Sequence, residues 1–219
     1  MTAAITLTGV RKHYDEFALQ DIDLELPAGQ VMGLVGVNGA GKSTLLRMLM
    51  GLIRADGGEV EVLGQRLPQA QVAVKRDIGY ASDDMRLYRG QSLRWHMDFI
   101  RCIYPGWDEA YAQDLLTRFD LKPQQLLGGF SHGQRVKAML LLNLARHPRL
   151  LPAFQIARAL VHVKYTATVF TLEVMVVRVA GRFVAGGFPW QTHHLHGPLG
   201  HQQFQIAVGD GRRAFGREA

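Results

Sequence analysis

The chain of 219 residues has a single cysteine, Cys102. An internal disulfide is therefore excluded, and the composition suits a reducing compartment. No apolar run approaches the roughly 18 residues that a membrane-crossing helix needs, so any work at a membrane is expected to pass through a partner. The N-terminal MTAAITLTGVRKHYDEF lacks a basic start followed by an apolar core, and no secretory signal is expected. Acidic residues are missing from one long stretch: none occurs between Asp120 and Glu173. The sequence also lacks runs of like charge and any interleaving of basic with aromatic residues. A nucleic-acid partner is therefore not expected, despite a formal net charge of +6. The excess sits late in the chain, since residues 1–150 carry 18 Lys/Arg against 16 Asp/Glu and residues 151–219 carry 7 against 3.

What is present is a globular composition, with 47% hydrophobic and 20% charged residues. Within it lies Gly36-Val37-Asn38-Gly39-Ala40-Gly41-Lys42-Ser43-Thr44, a full match to the phosphate-binding P-loop pattern. Gln30–Val35 reads as a short buried strand before it. Leu45–Leu52 reads as a helix after it, ending near Gly57-Gly58. The residue types suit the chemistry. Glycines let consecutive backbone N–H groups turn around phosphate oxygens where a Cβ would obstruct. The helix start adds its positive dipole end. Lys42 is expected to reach the β and γ phosphates, Ser43 to offer its hydroxyl to Mg²⁺, and Thr44 to make a further phosphate contact.

Three further segments narrow the family. Ile5–Val10 and Leu19–Leu26 alternate apolar and polar residues, as strands of a half-buried antiparallel sheet do. Tyr14 lies between them, and Pro27-Ala28-Gly29 turns the chain toward the P-loop strand. Phe130-Ser131-His132-Gly133-Gln134 precedes a stretch rich in helix formers, Val136–Arg146, and Ser131 is a good N-cap. Asp77–Tyr80 reads as a strand end opening into a polar loop with Asp83 and Asp84. Leu93–Arg101 has helical spacing, Tyr104-Pro105-Gly106 breaks it, and Asp108 can cap a second helix running to Phe119.

This order resembles the ATP-binding subunit of a bacterial ABC transporter, with features similar to the exporter-type branch. The resemblance covers residues 1 to about 150. It implies an α/β fold: a P-loop NTPase core with an N-terminal antiparallel β-subdomain and an inserted α-helical subdomain at about 84–146. ATP with Mg²⁺ is the implied cofactor, and Tyr14 would stack on the adenine. Residues 130–134 resemble the family's signature, usually Leu-Ser-Gly-Gly-Gln. Ser131, Gly133 and Gln134 match it, while Phe130 and His132 depart. In the family this helix end faces ATP held by a second subunit. A homodimer, or pairing with another ATP-binding subunit, is therefore implied, as are a transmembrane permease partner and a peripheral place for this chain on the cytoplasmic face of the membrane. The Tyr104–Trp107 region either meets that permease or packs the helical subdomain. Asp83 stands where many relatives have a glutamine touching Mg²⁺, and being shorter and charged it is a doubtful metal contact.

The resemblance stops after Leu151. The family's Walker B strand should follow, ending in Asp and Glu, but the chain reads Pro152-Ala153-Phe154-Gln155-Ile156. No catalytic residue is identified. Glu173 follows too late to replace the missing pair. His193, His194, His196 and His201 do not sit after a strand of the kind that carries the family's switch histidine. Val163–Val179 is β-branched and apolar, as strands are. Residues 151–219 form an atypical tail whose composition resembles translation in a shifted reading frame, or an unrelated appended segment. Apolar edges of the core sheet are expected to lie unpaired. The alternatives to a transport subunit are a nucleotide-binding module without turnover, or a soluble ABC-type ATPase acting on nucleic acid or ribosomes.

Overall fold

The computed structural model describes residues 3–37, 39–82, 86–154, 170–177, 191–195 and 204–210. The chain opens with β1 (Ala3–Tyr14) and β2 (Phe17–Pro27), an antiparallel pair turning at Asp15-Glu16. Alternation gives the pair one buried face, with Ile5, Leu7, Leu19 and Leu26 in the core. The alternation slips between Leu7 and Val10 because the register shifts there, and the Gly9 N–H donates to Asp23 Oδ1 at 2.7 Å. The strands β4 (Gly57–Val62) and β5 (Gln65–Leu67) complete a four-stranded sheet in the order β2-β1-β4-β5.

β3 (Gln30–Val37) leads into α1 (Lys42–Leu49). The helix stops at Met50 and Gly51, so the expected continuation to Gly57-Gly58 is not observed. Gly51 at φ 62° and the adjoining turn end it, and Gly57 and Gly58 belong to β4. Leu45, Leu46, Met48 and Leu49 are buried, with Ile5, Leu26, Met32 and Leu34, in a first core beneath the N-terminal sheet. The strand read at Asp77–Tyr80 is also displaced. Gln71–Asp77 forms α2, Ile78 makes a single parallel bridge to Leu150, and β6 is the short Ala81–Ser82.

A second core is helical. α3 (Leu93–Ile103) and α4 (Glu109–Phe119) begin at Ser92 and Asp108, whose side chains accept from the Trp95 and Tyr111 amides. α5 (His132–Leu144) is buried on nearly every side from Val136 to Leu144, which is why Ala138–Leu144 is almost wholly apolar. Leu93, Met97, Leu115, Leu116, Leu127, Phe130 and Leu141 fill this core.

After α5 comes β7 (Leu150–Phe154), parallel to β6. β8 (Phe170–Val177), β9 (Gln191–Leu195) and β10 (Phe204–Asp210) complete a six-stranded sheet in the order β6-β7-β8-β3-β10-β9. The unpaired edges expected for the core sheet are corrected here. β3 pairs antiparallel with β8 along Val31–Val37 and with β10 along Gln30–Gly36. The aromatic and β-branched residues of Phe170–Val177 and Phe204–Val208 are the types that suit a pleated strand.

Candidate functional site

The P-loop is shaped by two glycines in left-handed conformation, Gly39 at φ 85° and Gly41 at φ 93°. A Cβ at Gly39 would meet no atom within 4 Å, so the loop is open on that side. At Gly41 the loop is closed from behind: a Cβ there would lie 2.5 Å from Phe17 Cζ and 2.6 Å from Leu19 Cδ2. β2 therefore presses on the loop at the residue where α1 begins. Lys42 opens α1 and is only 4% exposed, while Ser43 and Thr44 are half-buried. Helical geometry gives the first amides of α1 no acceptor within the helix itself. No acidic residue lies in its first turn. The arrangement is cationic and donor-rich, and it fits an anion.

Ala40 is buried at the base of the turn. Gly36 and Val37 end β3, and Asn38 lies outside the described residues. Tyr14 ends β1, 42% exposed, with its ring centroid 6.1 Å from that of Phe17. The hairpin thus brings Tyr14 to the P-loop side through the ring that backs Gly41. Lys12 Nζ lies 5.3 Å from the Tyr14 centroid and pairs with Asp56 at 2.7 Å. Hydrogen bonds from Lys12 and from the His13 amide hold the Asp56 carboxyl below its ordinary value.

The Ser43 hydroxyl is the oxygen that could be offered to Mg²⁺. Among the described residues there is no group of three or more His, Cys, Asp or Glu side chains placed to hold an ion. Asp83 lies outside the described residues. β7, at the place expected for the Walker B strand, carries no carboxylate. Glu173 sits on β8 opposite Leu34 of β3. His193 and His194 lie on β9, and His196 and His201 are outside the described residues.

The signature-like segment belongs to the other core. Ser131 caps α5: its Oγ accepts from the Gln134 amide at 3.2 Å, and Gln134 Oε1 accepts from the Ser131 amide at 2.9 Å. Ser131, His132 and Gly133 are exposed, so the helix start faces solvent. Phe130, one of the two departures, is 3% exposed and packs in the helical core, which accommodates the larger ring.

Tyr104 and Trp107, both partly buried, make contacts within the chain. The Arg146 guanidinium lies 3.2 Å from the Tyr104 centroid, and Trp107 Nε1 donates to Glu109 at 2.9 Å. That bond, more than those from Gln113 and Arg94, lowers the Glu109 carboxyl. Among the described residues of the helical part, the exposed aromatics are Tyr88, Trp95 and Phe99, with the last two stacked at 5.3 Å. His96 beneath them is buried and satisfied at both nitrogens, by Ser92 O and the Tyr88 amide. Sequence reasoning missed Phe17, Asn143 and Arg146. Only Asn143 left a signal, a lone amide within an apolar run.

Comparison with known proteins agrees with this geometry. The family model for the ABC transporter matches residues 19–153. The ABC transporter ATP-binding protein YtrB of Bacillus subtilis is 31% identical over 61% of this chain and 45% of its own length. The daunorubicin resistance ATP-binding protein DrrA3 of Streptomyces coeruleorubidus is 36% identical, over 68% of this chain and 49% of its own. The sulfate/thiosulfate import ATP-binding protein CysA of Synechocystis is 34% identical, over 68% and 43%. The chain thus spans less than half the length of these relatives. A solved ATP-binding subunit of an ABC transporter shares the fold at a TM-score of 0.57 and 24% identity, over 68% of this chain and 64% of that one. The chain belongs to the ABC transporter family, among whose ATP-binding proteins its relatives are found.

Proposed function

We propose that this chain binds ATP with Mg²⁺ at Gly36–Thr44 and serves as the ATP-binding subunit of a transporter. It would work at the cytoplasmic face with a transmembrane permease and a second ATP-binding subunit. One observation carries the binding step: Lys42 stands at the first position of α1, directly after the left-handed turn at Gly39 and Gly41. Backbone amides and Lys42 neutralise the phosphates, Ser43 and Thr44 orient them, and Tyr14 supports the adenine. Bound Mg²⁺ supplies charge neutralisation at the β and γ oxygens. Ser131, His132, Gly133 and Gln134 face outward, toward nucleotide on a second subunit. Residues 1–150 form the ATP-binding unit, with 84–146 its helical part, and 151–219 are an atypical continuation. No helix among the described residues is long and apolar enough to cross a membrane.

Titration of the whole chain with ATP and Mg²⁺ tests the reading. Lys42→Ala should weaken binding at least about tenfold, the loss expected when a desolvated charge-assisted contact is removed. Equal affinity in the two proteins would overturn the assignment. A second reading, binding without turnover, is favoured by one feature: no acidic residue stands between Asp120 and Glu173, so β7 and its surroundings in sequence offer no carboxylate to polarise an attacking water.

A further inference from the structure

Beyond the bonds of α2 itself, the stretch Arg76–Tyr80 is tied at several points to residues 143–150. Arg146 donates to the carbonyls of Arg76 at 3.2 Å and Ile78 at 3.4 Å. The Arg149 amide donates to Asp77 O at 2.8 Å, and the Gly79 amide donates to Leu150 O at 2.8 Å. Asn143 takes both backbone groups of Tyr80: its Oδ1 accepts from the Tyr80 amide, and its Nδ2 donates to Tyr80 O, each at 2.8 Å. Nδ2 also donates to Met139 O at 2.9 Å, one turn back on α5. Asn143 is 5% exposed, the lone polar side chain on the buried part of α5.

Gly79 makes this approach possible. A Cβ there would lie 2.9 Å from Leu151 Cδ1, 3.0 Å from Pro148 Cγ and 3.2 Å from Asn143 Oδ1. Three neighbours close on one backbone position, and a side chain there would have to displace them. An amide carries on one neutral group the acceptor oxygen and the two donor hydrogens that these three bonds use. A carboxylate would face two carbonyl oxygens, and an apolar residue would leave two buried backbone groups without this partner.

We propose that Asn143 is a positioning residue that locks α5 to the Gly79–Ser82 segment, so that the helix bearing Ser131 and strand β6 move as one body. α5 spans 13 residues, about 20 Å of helix. Its start is the exposed Ser131 end and its finish is the Tyr80 clasp. The functional consequence rests on the proposed function: a nucleotide held against Ser131 by a second subunit displaces β6 through α5. The link itself does not depend on that reading.

Amide hydrogen exchange on the whole chain tests it. Gly79 is the reporter, because its own acceptor, Leu150 O, is untouched by changes at Asn143. In the unsubstituted protein, the Gly79 and Leu141 amides should open with the same free energy, as members of one cooperative unit. Asn143→Leu keeps the volume and removes the bonds. It should speed Gly79 exchange about tenfold or more, with Leu141 unchanged, as expected for losing a buried hydrogen-bonded partner. In Asn143→Asp the fast exchange should slow, after correction for intrinsic rates, as pH falls from about 8 to about 5 and the buried acid regains a donor. A merely space-filling residue would give no such pH signature. Independent opening of Gly79 and Leu141 in the unsubstituted protein overturns the proposal even if neither variant folds. So does Gly79 exchange in Asn143→Leu at the unsubstituted rate. In a second arm, ATP with Mg²⁺ should protect Arg135 and Gly79 together, and Asn143→Leu should retain only the Arg135 change. No nucleotide effect at either residue would count against the proposed function, and the first arm would still decide the link.

Discussion

Phe17 closes the back of the nucleotide loop at Gly41, its Cζ lying 2.5 Å from where a Cβ on that residue would stand. The contact joins the tip of the N-terminal hairpin to the first turn of α1. Gly41→Ala must therefore meet two costs, a left-handed backbone at φ 93° and an overpacked ring. Together these should destabilise the protein by roughly 2–5 kcal/mol. Chemical denaturation measures the loss. Adding Phe17→Ala should recover the ring's share of the packing cost and leave the backbone part and the share due to Leu19, so the double-mutant cycle should show a coupling between the two sites. Additive effects would show that the ring does not constrain the loop.

The capping box at Ser131 gives a second expectation. Ser131→Ala removes the acceptor for the Gln134 amide, and the loss should be about 1 kcal/mol in denaturant unfolding. Gln134→Ala removes the reciprocal bond to the Ser131 amide. Because the two bonds brace one another, the double variant should lose less than the sum of the singles. A sum of independent losses would mean that the box is not formed in solution.

The P-loop, both hairpin strands and the caps at Asp108 and Ser131 were legible in the sequence because each rests on local chemistry. Phosphate-loop glycines, alternation and an N-cap depend only on near neighbours in the chain. The end of α1 was not legible, since Leu52 and Ile53 continue the apolar pattern although Gly51 has already turned the backbone. The strand expected at Asp77–Tyr80 failed for another reason. That segment is held by Asn143, Arg146 and Arg149, residues some seventy positions away, and no local pattern encodes them. The pairing of β3 with β8 and β10 was hidden likewise: strand character was evident at Val163–Val179, but which edge it would cover was not.

Asp108 links α4 to the turn after α5. It accepts from the Tyr111 amide, and its Oδ2 lies 2.9 Å from His147 Nε2, with the His147 ring stacked on Tyr111 at 5.2 Å. The His147 hydrogen bond, then the Tyr111 amide, hold the Asp108 carboxyl below its ordinary 3.8. A depressed folded value stabilises the native state above pH 3.8, and this contribution disappears as pH falls through the lower folded value. Denaturation midpoints should therefore drop on acidification below about pH 4. Asp108→Asn keeps the cap acceptor and should flatten that part of the profile. An unchanged profile would show that Asp108 does not contribute to it.

Turnover is the sharpest expectation, because binding and hydrolysis rest on different residues here. The P-loop pattern Gly36–Thr44 is complete in sequence, whereas β7 carries no carboxylate and Glu173 lies on an antiparallel neighbour of β3. Hydrolysis needs a water oriented for in-line attack as well as neutralised phosphates. Phosphate release by this chain should therefore be no faster than by Lys42→Ala, even where ATP binding differs clearly between them. Release well above that background would mean that a residue beyond β7 supplies the missing group. The coding DNA across codons 145–219 provides the complementary observation. If a shifted frame encodes an apolar strand ending in Asp-Glu, a chain built in that frame should hydrolyse ATP while binding it as this one does. If no frame does, residues 151–219 are the chain's own continuation, and binding without turnover becomes the function that its residues support.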